Sequence, residues 1–217
     1  MFANRLPLSL VASAVIFATP ATLVADPPLA LSLAADTVTV EKLTPGATLV
    51  YFSVARDSEG YIPRTERWER ILADDDSDGI VTFELHRPAP VKYVGVAIEL
   101  ESGRFDTVTP EGSPAHAVAF PSQSLTGPGN RLTQIESGDR YAELLLLRPG
   151  VGVWAGTVGD GGATDSGTGG DGLILMDIAN MYPVGDSGPP PEEFERDDIL
   201  VKVAPLTAEY YAIRIVR

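Results

Sequence analysis

The sequence contains no cysteine, only two histidines and far fewer basic than acidic side chains. The absence of cysteine excludes disulfides, cysteine zinc sites and thiol chemistry. His86 and His116 are too far apart in sequence to give a metal-binding signature, and we expect both on the surface. The 16 Lys and Arg oppose 30 Asp and Glu, a net charge of −14. This charge repels phosphate backbones and anionic headgroups, so neither nucleic acid nor an acidic membrane surface is an expected partner.

The composition otherwise describes a soluble globular chain, 44% hydrophobic and with many turns from 21 Gly and 18 Pro. After Arg5, residues 6–25 carry no charge and begin with an apolar stretch, which predicts a signal peptide over residues 1–25. The alternative is an uncleaved anchor. Cleavage implies a secreted or periplasmic protein without stable membrane insertion.

Period-two alternation is the clearest pattern, as in Val81–His86, and it predicts strands with one buried face. Gly- and Pro-rich turns separate similar short segments, which together predict an all-β sandwich or barrel. Residues 64–73 could form either a helix or a strand. The other predicted strands are Thr37–Leu43, Thr48–Ala55, Val91–Glu99, Phe105–Thr109, Tyr141–Leu147, Val151–Val158, Leu173–Ile178, Ile199–Val203 and Tyr210–Val216.

The stretch 121–130 interrupts the series of strands with Pro, Ser and Gly, and it predicts a linker. We therefore expect two small β-sandwich units, at residues 26–120 and 131–217. The alternative is one larger sandwich in which this stretch is a crossing loop, because a chain of this length can form a single all-β domain.

The segment Leu43-Thr-Pro-Gly-Ala-Thr-Leu-Val-Tyr-Phe-Ser-Val-Ala55 resembles the turn-then-strand phrase of bacterial immunoglobulin-like and fibronectin-type modules. The resemblance covers these 13 residues and implies an immunoglobulin-like sandwich. It also implies a role in spacing, adhesion or attachment rather than a particular activity.

A run of aspartates resembles the first half of a calcium loop. Asp74, Asp76 and Asp78 occupy loop positions 1, 3 and 5, Gly79 occupies position 6, and Ile80 could offer its carbonyl from position 7. Position 12 is a leucine, so the bidentate glutamate of an EF-hand is missing, and we expect a Kd of about 10⁻⁴ to 10⁻³ M. The alternative is an acidic hairpin turn whose Asp side chains accept hydrogen bonds from nearby backbone amides.

A second acidic loop spans residues 159–172 and places Asp160, Asp165 and Asp171 on a glycine-rich backbone. It is a weaker calcium candidate, because the same glycines are typical of a mobile loop.

Two motifs resemble catalytic or cofactor loops but lack the context that those functions require. Gly185-Asp-Ser-Gly188 resembles the nucleophile loop of chymotrypsin-like proteases, yet only 71 residues separate His116 from Ser187. Gly150-Val-Gly-Val-Trp-Ala155 fits a dinucleotide fingerprint, but no helix is predicted after it. We therefore assign no catalytic residue.

A basic and aromatic island precedes the aspartate run and is a candidate binding patch. The alternative is a tryptophan packed on the core with arginines paired to local carboxylates. The island consists of Tyr61, Arg64, Arg67, Trp68 and Arg70.

The sequence thus predicts a non-catalytic, extracytoplasmic surface, adhesion or interaction module with an unidentified protein or glycan partner. One alternative is a carbohydrate-binding module, which would present Trp68, Tyr61 or Trp154 on an exposed face. The other is a secreted hydrolase whose two carboxylates come from distant strands and leave no motif.

Overall fold

The computed structural model describes residues 28–56, 65–118, 132–136, 141–159 and 173–215. Within these ranges the protein is all-β, with a short 3₁₀ helix at Ile178–Asn180 and no α-helix. The strands are β1 (Ala30–Ala34), β2 (Thr37–Glu41), β3 (Thr48–Arg56), β4 (Thr65–Ala73), β5 (Ile80–Glu84), β6 (Tyr93–Glu99), β7 (Phe105–Val108), β8 (His116–Ala117), β9 (Leu132–Glu136), β10 (Tyr141–Arg148), β11 (Gly152–Gly159), β12 (Leu173–Asp177), β13 (Tyr182–Pro183), β14 (Ile199–Ala204) and β15 (Glu209–Arg214).

The strands form four sheets. Their strand orders are β1-β2-β5, β4-β3-β6-β7, β13-β11-β10-β14-β15-β8 and β12-β9. The pairings are antiparallel except that β8 runs parallel to β15. An edge strand that precedes the predicted linker therefore completes a sheet whose other strands all follow it.

The core consists of three stacked layers of apolar side chains. The first layer joins the β1-β2-β5 sheet to one face of β3 and β6, through residues such as Val38, Tyr51 and Phe83. The second joins the opposite face of β3 and β6 to β10, β11 and β14. The third lies beyond β10 and β14 and is closed by Ile178 and Phe194.

The position of each strand in these layers explains its sequence. In β5 buried and exposed residues alternate, because one face packs on the core and the other meets water. In β6 and β14 every residue is buried, because these strands lie between two layers. A strand covered on both faces has no polar side, so its sequence is mostly apolar; the buried charged residues are Glu99 in β6 and Lys202 in β14.

Each of the ten predicted strand segments overlaps a strand of the structure. The ambiguous segment 64–73 contains strand β4, in which Trp68 and Leu72 pack against the first layer. Strands β1, β8, β9 and β13 were not predicted; they are short, and two of them have only two residues.

The predicted signal peptide and the predicted linker at 121–130 lie outside the described residues. The division into units 26–120 and 131–217 therefore stays a prediction. The described strands on the two sides of that linker share the second layer of the core, where Phe52 and Val96 belong to the same cluster as Leu145 and Val201.

Candidate functional site

The aspartate run forms the tight connection between β4 and β5. Ser77 and Gly79 both adopt positive φ, at 58° and 79°, which turns the chain sharply. The Gly79 carbonyl accepts a hydrogen bond from the Leu43 amide at 3.0 Å. A Cβ on residue 79 would lie 3.0 Å from the Leu43 carbonyl oxygen, so glycine suits both the backbone angle and the close approach.

Asp74 is the anchor of this turn. Its side chain is buried, and its Oδ2 accepts hydrogen bonds from the Gly46 amide at 3.0 Å and the Gly79 amide at 3.1 Å. The Gly46 hydrogen bond is the main reason that the pKa of Asp74 lies below its usual range; burial acts in the opposite direction. One carboxylate thereby joins the turn before β3 to the turn between β4 and β5.

The two exposed aspartates of the turn also accept hydrogen bonds from its backbone. Asp76 Oδ1 accepts from the Asp78 amide at 3.4 Å, and Asp78 Oδ1 accepts from the Ile80 amide at 2.8 Å. The acidic-turn alternative required such contacts. They occupy only part of the capacity of each carboxylate, because an ionised carboxylate has about four acceptor positions.

The same three aspartates also fit a cation. One oxygen from each of Asp74, Asp76 and Asp78 lies within 4.8 Å of the others. Oxygens that bind one calcium ion at about 2.4 Å can be no further apart than twice that distance. Among the described residues no lysine or arginine pairs with these aspartates. Ile80 follows the cluster directly as the first residue of β5, with its side chain exposed.

One buried oxygen atom of this cluster lacks a hydrogen-bond partner. Asp74 is only 2% exposed, and its Oδ1 is buried without a hydrogen-bond partner. A buried carboxylate oxygen without a partner is costly, and it is satisfied by water or by a cation. Asp160, Asp165 and Asp171, which form the second acidic loop, lie outside the described residues.

The basic and aromatic island does not form one surface in the part of the chain that the structure describes. Arg67 points to the second-layer side of β4, where its Nη2 lies 2.6 Å from Glu143. Trp68 packs instead on Tyr51, with ring centroids 5.9 Å apart. Arg70 lies over the Phe83 ring at 5.4 Å. Tyr61 and Arg64 lie outside the described residues.

The glycine motifs around Ser187 and Gly152 belong to one packing contact. Ser187 Oγ donates to the Val184 carbonyl at 2.6 Å and accepts from the Val153 amide at 2.9 Å. A Cβ on Gly152 would lie 2.7 Å from the Ser187 Cβ. Gly152 therefore allows Ser187 to fasten its turn to β11, which continues as a strand where a dinucleotide fold would begin a helix.

Three buried carboxylates, which sequence reasoning missed, pair with arginine. Glu99 binds Arg104, with Nη2 at 2.5 Å. Glu143 binds Arg67, and Asp198 binds Arg148 with Nε at 2.8 Å. Of the four carboxylates buried among the described residues, Asp74 alone has no such partner. An acidic residue inside an apolar run was the available signal at Glu99 and Glu143, but it does not identify the partner.

Of the three aromatic residues that the carbohydrate-binding alternative names, the two tryptophans are separated and Tyr61 lies outside the described residues. Trp154 is buried and donates from Nε1 to the Gly188 carbonyl at 3.1 Å. Trp68 is half-buried in a different layer of the core. These two side chains therefore cannot form one exposed sugar-stacking row.

The sequence matches no protein-family model and has no significant match among curated proteins. Within the described ranges, no helix combines the length and the apolar character that a membrane span needs.

Proposed function

We propose that this protein is a non-catalytic, extracytoplasmic β-sandwich module for surface attachment, adhesion or interaction, and that calcium stabilises it at the Asp74–Gly79 turn. The observation that carries the calcium proposal is the buried Asp74 Oδ1, which has no hydrogen-bond partner. Its carboxylate belongs to a cluster of three aspartates that pairs with no described lysine or arginine. The predicted signal peptide supports an extracytoplasmic location, where weak calcium sites are typical of extracellular modules.

Calcium suits this site because it is a hard cation that takes six to eight oxygen ligands in flexible geometry. Asp74, Asp76 and Asp78 would supply three of them, and the Ile80 carbonyl is a fourth candidate. Water would complete the shell at the exposed side, since Asp76 and Asp78 face solvent. Magnesium demands a tighter octahedron and gives up water reluctantly, so it should bind less well.

The position of the site explains why binding should stabilise the fold. Asp74 already fastens the Gly46 turn to the Gly79 turn. A bound ion would remove the repulsion among the three carboxylates and fix the ends of β3, β4 and β5 relative to one another.

The interaction role rests on the resemblance of Leu43–Ala55 to immunoglobulin-like and fibronectin-type modules. In the structure this segment comprises the turn before β3 and most of β3 itself. Such modules present loops and sheet faces to protein or glycan partners, and their fold does not define one activity.

A thermal melt with and without calcium tests the calcium proposal. At about tenfold over the Kd, binding to the native state adds about 1.4 kcal/mol. For a chain of this size, that should raise the melting temperature by roughly 3 to 6 °C. Asp76→Asn and Asp78→Asn should each abolish this increment. Asparagine keeps the side-chain oxygen that accepts the turn hydrogen bond, so the turn itself is preserved.

Asp75→Asn is the matched control, because Asp75 is exposed in the same turn but does not belong to the cluster. It should retain the calcium increment, and Asp165→Ala should retain most of it. Equal increments with calcium, magnesium and sodium at matched ionic strength would contradict the proposal, because they would reflect screening of a −14 chain.

A further inference from the structure

Strand β4 lies at the edge of the β4-β3-β6-β7 sheet. It is nine residues long and pairs with β3 in an unbroken register from Thr65 to Ala73. Among the strands that the structure describes, none pairs with the other side of β4. Most of its side chains are exposed. They are Arg67, Glu69, Arg70, Ile71 and Ala73.

The outer edge of β4 presents the backbone groups of alternate residues. Directly after β4, the Asp74 amide donates to the Ala47 carbonyl at 3.1 Å, so it points toward β3. The Trp68 carbonyl also points toward β3, where it accepts from the Ser53 hydroxyl at 3.5 Å. Successive residues of an antiparallel strand direct their amides and carbonyls to opposite sides. The odd-numbered residues of β4 therefore point outward.

These outward groups have no described partner. No backbone group of the described residues outside β4 bonds to the amides or carbonyls of Arg67, Glu69 and Ile71. An edge with free amides and carbonyls is a template for a further strand.

Proteins normally protect an exposed edge of this length against pairing. Short strands, prolines, bulges and lysines give this protection, and β4 has none of them. Its charges instead have both signs, because Glu66 and Glu69 balance Arg67 and Arg70. The chain as a whole has a net charge of −14. The edge is thus locally neutral and can approach another copy of itself without the repulsion that other surfaces would cause.

The order of these charges selects one pairing. In a symmetric antiparallel pair, one residue lies opposite its own copy on the two-fold axis, and the residues around it pair in reverse order. With Trp68 on the axis, Arg67 lies opposite Glu69 of the second copy, and Glu66 lies opposite Arg70 of the second copy. Every charged residue of β4 then faces the opposite charge, which stabilises a cross-strand pair.

The other symmetric registers are less favourable. A register centred on any of the four charged residues places that residue opposite its own copy, which is a like-charge contact. A register centred on Ile71 leaves Glu69 and Arg70 opposite uncharged residues and brings the Asp74 runs of the two copies closer together. Registers centred near either end pair only part of the strand.

The Trp68-centred register also preserves the contacts inside each copy. Arg67 keeps its bond to Glu143, because strand pairing uses outward amides and carbonyls rather than the guanidinium. Arg67 and Glu69 both point outward, so their backbones can exchange hydrogen bonds with those of the second copy. Trp68 stays bonded to β3 and occupies a pair without hydrogen bonds on the axis.

We propose that β4 is a self-association edge, at which two copies of this chain pair antiparallel about Trp68 and join their sheets into one. The partner is a second copy because the charge order of the edge is complementary to itself. The Asp74 turn follows β4 directly, so the two calcium turns lie at opposite ends of the paired strands. Self-association and calcium binding are therefore separable.

Sedimentation equilibrium of the purified protein tests the proposal. The average mass should rise from one chain toward two as the concentration increases from about 1 µM to about 1 mM, a range that covers weak dimers. Amide hydrogen exchange gives a second measurement. The outward amides of Arg67, Glu69 and Ile71 should exchange at least tenfold more slowly at the high concentration. The amides of Trp68 and Arg70, already bonded to β3, should change little.

Two substitutions at one exposed residue should break the dimer. Glu69→Arg places like charges opposite each other and should weaken dimerisation at least tenfold. Glu69→Pro should abolish it, because proline removes an outward amide and leaves the bonds to β3 intact. Glu41→Arg is the matched control, because Glu41 is also exposed but lies in β2, which is paired on both edges. It should leave the dimer unchanged, and melting temperatures verify that all variants fold.

A charge exchange tests the register itself. Arg70→Glu places a glutamate opposite Glu66 of the second copy and should weaken the dimer. Adding Glu66→Arg restores the opposite-charge pair and should recover most of the affinity. The contact of Arg70 with the Phe83 ring stays lost in the double variant, so this recovery reports the contact between copies and not the stability of one copy.

The proposal is overturned if the protein stays monomeric at about 1 mM, because the edge would then have no second copy as its partner. It is also overturned if Glu41→Arg weakens the dimer as much as Glu69→Arg, or if the charge exchange restores nothing. Outward amides that are protected equally at every concentration would show that another segment of the same chain covers the edge. Asp76→Asn should leave the dimer intact, so failure of the calcium proposal and failure of this one are distinguishable.

Discussion

The Asp74–Gly79 turn and the Glu193–Asp198 turn both bring carboxylates together. Among the described residues, only the carboxylates of the second of these two turns pair with an arginine side chain. Arg148 of β10 donates to both oxygens of Asp198, at 2.8 and 2.9 Å, and to Glu195 at 2.7 Å. Asp74 Oδ1 has no partner in its turn. The carboxylates of a turn with its own arginine are paired as soon as the chain folds. A turn without an arginine needs water or a cation from solution to satisfy its buried carboxylate.

The largest expected effect comes from removing the internal cation. Arg148→Met should leave Asp198 buried and unpaired, because that carboxylate is fully buried. Breaking one partner of a buried ion pair costs about 3 to 5 kcal/mol. We expect the melting temperature to fall by roughly 6 to 20 °C. Calcium should not restore it, since the damage lies outside the Asp74 turn.

Arg196→Met provides the reference for this experiment. The Arg196 side chain is 73% exposed, and its contact with Asp197 is long, at 3.9 Å. Exposed pairs contribute about 0 to 1 kcal/mol, so the melting temperature should change little. If Arg148→Met and Arg196→Met had equal effects, the contrast between the two acidic turns would be wrong.

The next effect concerns Glu99, which fastens the same Thr44–Gly46 turn as Asp74 but has its own cation. Glu99 accepts hydrogen bonds from the Thr44 amide at 2.7 Å and from Arg104. Burial alone would raise the pKa of Glu99, but the hydrogen bonds from Arg104, Ser102 and Thr44 outweigh it and hold the pKa below its ordinary value.

A lowered folded-state pKa contributes stability above the unfolded-state value of about 4.3, and this contribution is lost as the pH falls through the folded-state pKa. Glu99→Gln should therefore lower the unfolding free energy by about 1.5 to 3 kcal/mol at pH 7, as expected for hydrogen bonds to a charged group. Urea unfolding should show this difference shrinking below about pH 4.

Glu101→Gln is the control for the acid experiment. Glu101 is exposed and accepts from the Thr48 amide, so it borders the same turn without being buried. Its replacement should have a much smaller effect at pH 7. A Glu99→Gln difference that stayed constant from pH 7 to pH 3 would contradict the account given for Glu99.

The difference between local patterns and contacts between distant residues explains how much of the fold and of the site the sequence could predict. Alternation in β5 reports a single buried face, so the strand could be located from its sequence alone. The segment that became β4 was ambiguous for a physical reason. Residues four apart, such as Trp68 and Leu72, share a face in a helix and also in a strand. Their pattern could not separate the two structures.

The aspartate cluster could be predicted because its members lie within five residues, so the spacing determines which side chains meet. Two of the three arginine pairs could not be predicted, because Arg67 and Glu143 are 76 residues apart and Arg148 and Asp198 are 50 apart. The meeting of these two pairs depends on how the layers stack. The third pair, Glu99 with Arg104, is local in sequence and was missed although its residues are only 5 apart. A cavity lined by Ser53, Trp68 and His86 was also missed, since its walls come from β3, β4 and the connection after β5, which are distant in sequence.

The smallest expected effect comes from a third turn, which uses neither a carboxylate nor a cation. Ser187 Oγ accepts from the Val153 amide and donates to the Val184 carbonyl, both as neutral groups. Ser187→Ala should lower the unfolding free energy by about 2 kcal/mol, because it removes two neutral hydrogen bonds of about 1 kcal/mol each. Calcium should not change that loss, and it should be the same at pH 7 and pH 5, because no charge is removed.

Ser187→Ala also tests the resemblance of its loop to a protease nucleophile. A hydroxyl that already donates to the Val184 carbonyl has no base to activate it, so the substitution should change no hydrolysis of peptide or ester substrates. Labelling of wild-type Ser187 by a serine-directed phosphonate, with loss of a measured hydrolytic activity, would make Ser187 a nucleophile. That outcome would also exclude this turn from the comparison of stabilising turns, because its geometry would then serve a reaction rather than the packing of β11.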